Sequence, residues 1–162
     1  MDLFLIRHAK AVEGTLYNDD DQRPLTADGR QAAHAVGAAL ARQGIALETI
    51  ITSPLVRAVE TAELVAMAVS YTGGLEVSSL LSPGGRAHQI IDELIALRRE
   101  QRVALVGHEP SMGKLLSALL GKPGLSLSKG TAVRLDWDGK HGKLVWIVKP
   151  KKLDPVASLD GL

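Results

Sequence analysis

The most constraining feature of this chain is the alternation of short apolar segments with segments of helical periodicity. Residues 3–6, 49–52 and 103–106 are short, apolar and partly β-branched, which is typical of strands buried on both faces of a sheet. Each precedes a stretch whose apolar residues recur at helical spacing. This order predicts an α/β fold with a mostly parallel central sheet and helices on both faces, a three-layer α/β/α arrangement.

Start signals indicate where the first two helices lie. Thr26 is a candidate N-cap for a helix that runs to about Gln43. Ser53 and Pro54 predict the cap and the first helical residue of a second helix, over residues 55–69. Helices after strands are the connections that parallel strands need.

Two more helices are expected in the second half of the chain. The third follows a turn rich in Pro and Gly at residues 82–85, and Ser111 is a candidate N-cap for the fourth, over residues 112–120. The apolar positions of the third helix are Ile90, Ile91, Leu94, Ile95 and Leu97. These two helices complete the alternating pattern.

The remaining strands and the end of the chain are predicted from weaker patterns. Residues 75–77 are a candidate strand. Residues 133–137 and 144–148 flank a glycine-containing loop typical of a β-hairpin, which we expect at the edge of the sheet. At 162 residues the chain has room for one domain. We expect that domain over residues 1–150 and a solvated tail over residues 151–162.

Composition and charge exclude several classes of protein. With 19 basic and 18 acidic residues the net charge is +1, and the few aromatic residues are scattered, so we expect no nucleic-acid partner and no attraction to anionic membranes. No apolar run approaches the ~18 residues of a membrane span, and the N-terminus lacks the pattern of an export signal. The chain has no cysteine, which is compatible with a reducing compartment. We expect a cytoplasmic protein.

Basic side chains follow three of the predicted strands at their carboxyl ends. Arg7 and His8 end the first strand, and Arg57 lies in the first turn of the helix after the second. His108 ends the strand at residues 103–106. Because ligands of open α/β sheets bind at this edge, two imidazoles and two guanidiniums should converge there. Guanidiniums bind phosphate oxygens bidentately and stay charged, so the pattern predicts a pocket for a dianionic phosphoryl group.

The two imidazoles have different uses beside such cations. Because a nearby positive charge disfavours imidazolium, one imidazole stays neutral and can act as a nucleophile. The other can donate a hydrogen bond to the oxygens of the transferring phosphoryl group, over which charge is spread in the transition state. This arrangement predicts a covalent phosphohistidine intermediate that water later hydrolyses, with no cofactor.

Four segments, in this order, carry a resemblance to a known family. They are Leu5-Ile6-Arg7-His8-Ala9, Arg23-Pro24-Leu25-Thr26-Ala27-Asp28-Gly29, Thr52-Ser53-Pro54-Leu55-Val56-Arg57-Ala58 and Val106-Gly107-His108. Together they resemble the motifs of the histidine phosphatase superfamily, which includes the cofactor-dependent phosphoglycerate mutases. The resemblance runs from the first strand to about Leu120 and implies a phosphoglycerate mutase-like fold.

The resemblance implies a role for each converging residue. His8 is expected to be the nucleophile, and His108 to stabilise the transferred group. Arg7 and Arg57 are expected to hold the phosphoryl oxygens, and Arg23 to border the same pocket. These roles agree with the chemistry derived above from the residue types.

The chain is short between its third and fourth motifs. The interval from Arg57 to His108 has no room for the helical insertion that covers the site in mutases and broad sugar phosphatases. The resemblance therefore implies the minimal, SixA-type phosphohistidine phosphatase branch, without a lid insertion. Larger members place an acid in that insertion or directly after the second histidine, where this chain has Glu109. Glu109 is thus a candidate proton donor, although an imidazole protonated from solvent leaves readily without one.

Other groups have simpler interpretations. The Asp19-Asp20-Asp21 segment is expected to be a solvated loop, with a minority alternative in which it borders the site or supplies the acid. No metal is expected, because neither histidine has a second ligand at metal spacing and Arg7 would repel a cation. Three further histidines are assigned to the surface: His34, His88 and His141.

The predicted function is that of a phosphohydrolase that works through His8 without cofactor or metal. Its expected substrate is phosphohistidine on a signalling or phosphotransfer protein, which an open site without a lid would suit. One alternative is a phosphatase of small phosphorylated metabolites that uses the same residues. The other is a phosphate-binding interaction module without turnover.

Overall fold

All the predicted strands form in the computed structural model, which describes residues 1–96 and 101–162. In those residues the strands are β1 (Asp2–Arg7), β2 (Thr49–Thr52), β3 (Glu76–Val77), β4 (Arg102–Gly107), β5 (Ala132–Trp137), β6 (Gly142–Lys149) and β7 (Lys152–Val156). They form a mixed sheet in the order β3-β2-β4-β1-β5-β6-β7. The pairings among β1 to β4 are parallel, and those made by β5, β6 and β7 are antiparallel. The α/β class is confirmed, and β1 lies at the centre. The sheet is not mostly parallel as predicted, because the hairpin strands and β7 add three antiparallel pairings to the three parallel ones.

In the described residues, four α-helices cover the two faces of this sheet. They are α1 (Ala27–Arg42), α2 (Val56–Ala68), α3 (Ala87–Ala96) and α4 (Ser111–Leu120). Alternate side chains of β1 point to opposite faces, as the pleat requires. Leu3 and Leu5 join the hydrophobic cluster under α3 and α4, whereas Phe4 and Ile6 join the cluster under α1 and α2. The predicted three-layer arrangement is confirmed.

Helices α1 and α2 pack very closely on their face of the sheet. A Cβ added to Gly37 would lie only 2.8 Å from Cβ of Ala68 and 3.0 Å from Cα of Val65. Glycine at this point therefore lets the two helix backbones approach. The contact fixes α2 relative to the sheet, and with it Arg57 in the first turn of α2.

The start of α2 differs from the prediction. The helix begins at Val56 with Leu55 as its N-cap, and no side chain caps it. Ser53 and Pro54 therefore lie before the helix, and their predicted roles as cap and first residue are wrong. The Ser53 hydroxyl instead forms a buried hydrogen bond with the ring of His108.

The other helix boundaries follow the sequence more closely. Thr26 caps α1 as predicted, its hydroxyl oxygen accepting a hydrogen bond from the Gly29 amide at 3.0 Å. In α4 the N-cap is Pro110, so the predicted capping role of Ser111 is wrong. Leu97, assigned above to the third helix, lies outside the described residues.

The C-terminal segment is not the solvated tail predicted for residues 151–162. Strand β7 pairs with β6 and forms one edge of the sheet, so the β5–β6 hairpin is not at the edge. Leu153 packs against the cluster under α1 and α2, and Leu159 and Leu162 pack against the cluster under α3 and α4. The prediction was wrong because these isolated leucines find apolar partners only in the folded sheet.

Candidate active site

The carboxyl ends of β1, β4 and β2 are neighbours because these strands pair in parallel. His8 follows β1, His108 follows β4 and Ser53 follows β2. The rings of His8 and His108 are adjacent, with centroids 4.9 Å apart and planes tilted by 52°. The fold therefore places both predicted imidazoles at one edge of the sheet.

The ring of His8 is held in one orientation by the backbone. Its Nδ1 lies 2.7 Å from the carbonyl oxygen of Ala9, and its backbone N–H donates to the carbonyl of Gly107 at 3.0 Å. Because a carbonyl oxygen only accepts, Nδ1 carries the proton of the neutral ring. The other nitrogen, Nε2, then keeps its lone pair and is the nucleophilic atom.

The environment of His8 keeps its ring neutral. Burial lowers the pKa of His8 to about 4, and the hydrogen bond to Ala9 opposes this change. The positive charges of Arg57, Arg7 and Lys129 also lower it, because each of them disfavours imidazolium. Near neutral pH the Nε2 lone pair is therefore available for attack on phosphorus.

The ring of His108 is oriented by Ser53. Its Nε2 lies 2.8 Å from the Ser53 hydroxyl oxygen, which also accepts a hydrogen bond from the amide of Leu55 at 3.3 Å. Burial first, then the charges of His8 and Arg57, lower the pKa of His108 to about 3, so the ring is neutral. Ser53 is fully buried, and its O–H has no other acceptor among the described residues, so it donates to Nε2 and leaves the proton of the neutral ring on Nδ1.

Three buried N–H groups around the two rings have no partner in the described residues. They are Nδ1 of His108 and the Nε atoms of Arg7 and Arg57. Buried donors are nearly always satisfied, so three unpaired ones beside two imidazoles indicate a place where a ligand accepts hydrogen bonds. The unpaired indole N–H groups of Trp137 and Trp146 lie instead in the hydrophobic clusters. The oxygens of a phosphoryl group are suitable acceptors.

Thr61 is a site residue that the sequence analysis missed. Its hydroxyl accepts a hydrogen bond from the amide of Ala9 at 3.1 Å and donates to the carbonyl of Arg57 at 2.7 Å. It thereby ties the segment after β1 to the first turn of α2. The spacing of four residues from Arg57, one helical turn, is the only sequence signal that could have indicated it.

Comparison with known proteins agrees with this site. The family model described as Histidine phosphatase superfamily (branch 1) matches residues 3–81. The chain is 33% identical over 140 residues to an uncharacterized protein of Picosynechococcus sp., a match that covers 83% of this chain and 84% of that protein. It is 29% identical over 158 residues to phosphohistidine phosphatase SixA of Escherichia coli (strain K12), covering 94% of this chain and 96% of that protein.

The chain belongs to the histidine phosphatase superfamily.

A solved structure supports the SixA-type branch of that superfamily. The structure of the protein histidine phosphatase SixA complexed with tungstate has a TM-score of 0.88 to this chain at 26% identity. The match covers 95% of this chain and 100% of that one. The predicted superfamily and its SixA-type branch are therefore confirmed, and they support phosphohydrolase activity.

Gly29, in the second motif of this histidine phosphatase, lets two backbone segments approach closely. A Cβ added to Gly29 would lie 2.0 Å from the carbonyl oxygen of Lys10, a distance that backbone atoms cannot tolerate. The same carbonyl accepts a hydrogen bond from the amide of Thr26 at 2.9 Å. The motif thus holds the start of α1 against the segment that follows His8.

Arg23, predicted to border the pocket, reaches it through Asp20. Its Nε and Nη2 lie 2.7 and 2.6 Å from Asp20 Oδ1, and its Nη1 donates to the carbonyl of Val12 at 2.9 Å. The other carboxylate oxygen of Asp20, Oδ2, lies 2.9 Å from Nη2 of Arg57. Asp20 is therefore not simply part of a solvated loop, whereas its neighbours Asp19 and Asp21 are exposed as predicted.

Glu109, the candidate proton donor, is connected to Arg7 through the backbone of Leu127. Its Oε1 accepts a hydrogen bond from the amide of Leu127 at 2.9 Å, and the carbonyl of Leu127 accepts one from Nη1 of Arg7 at 2.6 Å. Burial lowers the pKa of Arg7, and the negative charge of Glu109 opposes that change. Glu109 thus helps to place Arg7, while its role as proton donor stays a prediction.

The remaining groups named from the sequence lie away from these contacts. The surface histidines are exposed as predicted: His34, His88 and His141. Over residues 1–96 and 101–162, no group of three or more His, Asp and Glu side chains has an arrangement that could hold a metal ion. In the same residues, no helix is long and apolar enough to span a bilayer.

Proposed function

We propose that this histidine phosphatase removes the phosphoryl group from a phosphorylated histidine on a signalling or phosphotransfer protein in the cytoplasm. The observation that carries the proposal is the neutral ring of His8, which lies beside the ring of His108 at the sheet edge where buried N–H donors of Arg7 and Arg57 have no partner among the described residues. Those donors suit the oxygens of a phosphoryl group. The SixA protein of Escherichia coli, a phosphohistidine phosphatase by name, supports this substrate class.

In the first step, Nε2 of His8 attacks phosphorus as the P–N bond to the substrate imidazole breaks. The bonding electrons go to the leaving nitrogen, which takes up a proton from solvent. Guanidinium donors of Arg7 and Arg57 and the Nδ1–H of His108 stabilise the charge on the equatorial oxygens. The product is a phosphorylated His8 and a free substrate imidazole.

In the second step, water attacks the phosphoryl group on His8. The P–N bond to Nε2 breaks, the electron pair returns to the ring, and inorganic phosphate leaves with the oxygen and both protons of the water. The proton stays on Nδ1, which donates to the Ala9 carbonyl in the resting protein and keeps this hydrogen bond through both steps. His8 therefore returns to its neutral starting tautomer without a cofactor or metal.

Exposed apolar side chains beside the pocket support a protein substrate. A Cβ added to Gly14 would lie 3.7 Å from Nε of Arg23, so the short 3-10 turn Gly14–Leu16 lies against that guanidinium. Leu16 at the end of this turn is 73% exposed and the adjacent Tyr17 is 40% exposed. Large apolar side chains in water next to a catalytic pocket are suited to contact with another protein surface.

The first test measures release of inorganic phosphate in the presence of a chelator. A phosphotransfer domain phosphorylated on histidine and a panel of small phosphomonoesters are compared at matched concentration, with wild type and His8→Ala. We expect strong turnover on the phosphoprotein that His8→Ala abolishes. Preference for a monoester would reassign the chain to dephosphorylation of metabolites, and binding without release would make it an interaction module.

The second test concerns the docking of the protein substrate. The double variant Leu16→Ser/Tyr17→Ser should lower kcat/KM on the phosphoprotein by about tenfold and leave turnover of a small monoester unchanged. Met67→Ser is the matched control, because Met67 is also 73% exposed but lies on α2. An equal loss on both substrates, or the same loss in the control, would contradict a protein substrate docked at this turn.

A further inference from the structure

Asp20 accepts hydrogen bonds from both terminal nitrogens of Arg57, the arginine expected to bind phosphate. Nη1 of Arg57 donates to the backbone carbonyl of Asp20 at 2.7 Å, and Nη2 donates to its Oδ2 at 2.9 Å. Asp20 Oδ1 is bonded to the fork of Arg23. Both carboxylate oxygens are therefore held by guanidinium groups, which is the way such groups bind a phosphoryl oxyanion.

The carboxylate of Asp20 is ionised and acts on the pocket. Its hydrogen bond from Arg23, followed by that from Arg57, lowers the pKa of Asp20. Its negative charge raises the pKa of His108, against the larger opposite effects of burial and of the His8 and Arg57 charges. A phosphoryl dianion bound between Arg57 and His108 would be repelled by this same charge.

The position of Asp20 allows its side chain to leave. It begins the short 3-10 turn Asp20–Gln22, and its side chain is 59% exposed, in contrast with the 4% exposure of Arg57. An ion pair with one exposed partner contributes little free energy, because water competes for the carboxylate. A phosphoryl dianion carries more charge and can replace it on the buried guanidinium.

We propose that the carboxylate of Asp20 is a built-in competitor for the phosphoryl group, holding Nη2 of Arg57 in the resting protein and giving it up when substrate binds. The proposal rests on the proposed function in that the pocket binds phosphoryl groups. A free anion makes contacts only within the pocket, so the free energy needed to displace Asp20 directly lowers the affinity for that anion. A phosphoprotein gains further contacts at the pocket rim and offsets that cost. Asp20 thereby selects against free phosphate, the product of the reaction.

The test is direct binding of an oxyanion, measured by titration calorimetry with inorganic phosphate and with tungstate. Asp20→Asn removes the charge and keeps an oxygen acceptor for the arginines. We expect it to bind both anions about tenfold more tightly than wild type, because one repelling charge is removed from contact with the ligand. Asp21→Asn is the matched control: it removes the same charge from an adjacent exposed residue, and we expect affinity within about twofold of wild type.

The opposite results overturn the proposal. Unchanged or weaker anion binding by Asp20→Asn, or an equal gain in Asp21→Asn, would mean that Asp20 is not a competitor. Thermal unfolding checks that Asp20→Asn is folded. If it is not, the wild type decides by NMR: the carboxyl 13C resonance of Asp20 should shift when tungstate is saturating, because its hydrogen bond from Arg57 is lost, and an unchanged resonance would refute displacement.

This experiment is independent of the proposed substrate. Anion binding is measured without turnover, so a protein that fails to release phosphate from phosphohistidine can still show the difference between Asp20→Asn and Asp21→Asn. Conversely, normal turnover with no gain in anion affinity for Asp20→Asn would retain the proposed function and remove the competitor.

Discussion

The reactivity of this pocket depends on single hydrogen bonds that decide which ring nitrogen carries a proton. The carbonyl of Ala9 holds the proton on Nδ1 of His8, and the hydroxyl of Ser53 leaves the proton of His108 on Nδ1. One ring thus presents a lone pair and the other presents a donor. The two imidazoles were predictable from the sequence. The position of the proton on the ring of His108 was not, because it depends on a serine 55 residues away.

Replacing Ser53 with Ala should lower kcat by about tenfold with little change in KM. The ring of His108 would lose the hydrogen bond that fixes its tautomer, and transition-state stabilisation would fall by the value of one such bond. Steady-state kinetics checks this, with Ser111→Ala as the control, since Ser111 is equally buried and its hydroxyl has no partner in the described residues. Similar losses in both variants would instead point to a general packing effect.

Replacing Glu109 with Gln tests whether the leaving group needs a positioned acid. The amide oxygen of Gln can still accept the hydrogen bond from Leu127, so the pocket should keep its shape. We expect less than about threefold loss of rate on a phosphohistidine substrate, because a protonated imidazole leaves readily, and a larger loss on a monoester. A large loss on phosphohistidine would make Glu109 the proton donor.

The elements of secondary structure were predictable to the extent that they depend on local pattern. The fully buried segments of β1, β2 and β4 contain apolar runs that need no distant information, and Thr26 caps α1 through its own first turn. Strand β7 and the ion pair between Asp20 and Arg57 were not predicted. Strand β7 is short and has no buried residue to give it an apolar pattern, and Arg57 lies 37 residues from Asp20. Ser53 is similar: its local pattern indicates a cap, but a tertiary contact with His108 takes its hydroxyl.

The start of α1 should be very sensitive to a single methyl group. Gly29→Ala would place a Cβ 2.0 Å from the Lys10 carbonyl, and we expect the free energy of unfolding to fall by about 2–4 kcal/mol as the backbone moves apart. Denaturant unfolding measures the change. Gly74→Ala is the control, because an added Cβ there meets nothing within 4 Å and we expect a change below about 1 kcal/mol. Equal effects would show that the close approach at Gly29 is relieved without cost.

For the whole molecule, two buried neutral imidazoles couple stability to pH. The pKa values of His8 and His108 are lowered to about 4 and about 3 in the fold, from 6.5, so the unfolded chain takes up protons that the native state does not. Stability is therefore complete above about pH 6.5 and falls as pH decreases towards 4. By pH 5 each histidine contributes a loss on the order of 2 kcal/mol.

Urea unfolding at pH 7 and pH 5 measures this dependence. Wild type should lose stability over that interval, and His108→Asn should lose on the order of 2 kcal/mol less, because it lacks one of the two titrating rings. The comparison is between the two pH values for each protein, so any constant effect of the substitution cancels. Identical decreases in both proteins would mean that His108 does not titrate on unfolding.

The central position of β1 also affects how this enzyme is made. The strand before the nucleophile pairs with β4 on one side and β5 on the other, and the amide of Gly130 donates to the carbonyls of Arg7 and His8. A chain still on the ribosome lacks the antiparallel partner of β1 until residues 132–137 have left the exit tunnel. The strand that carries the predicted nucleophile is therefore paired on one side only until that point.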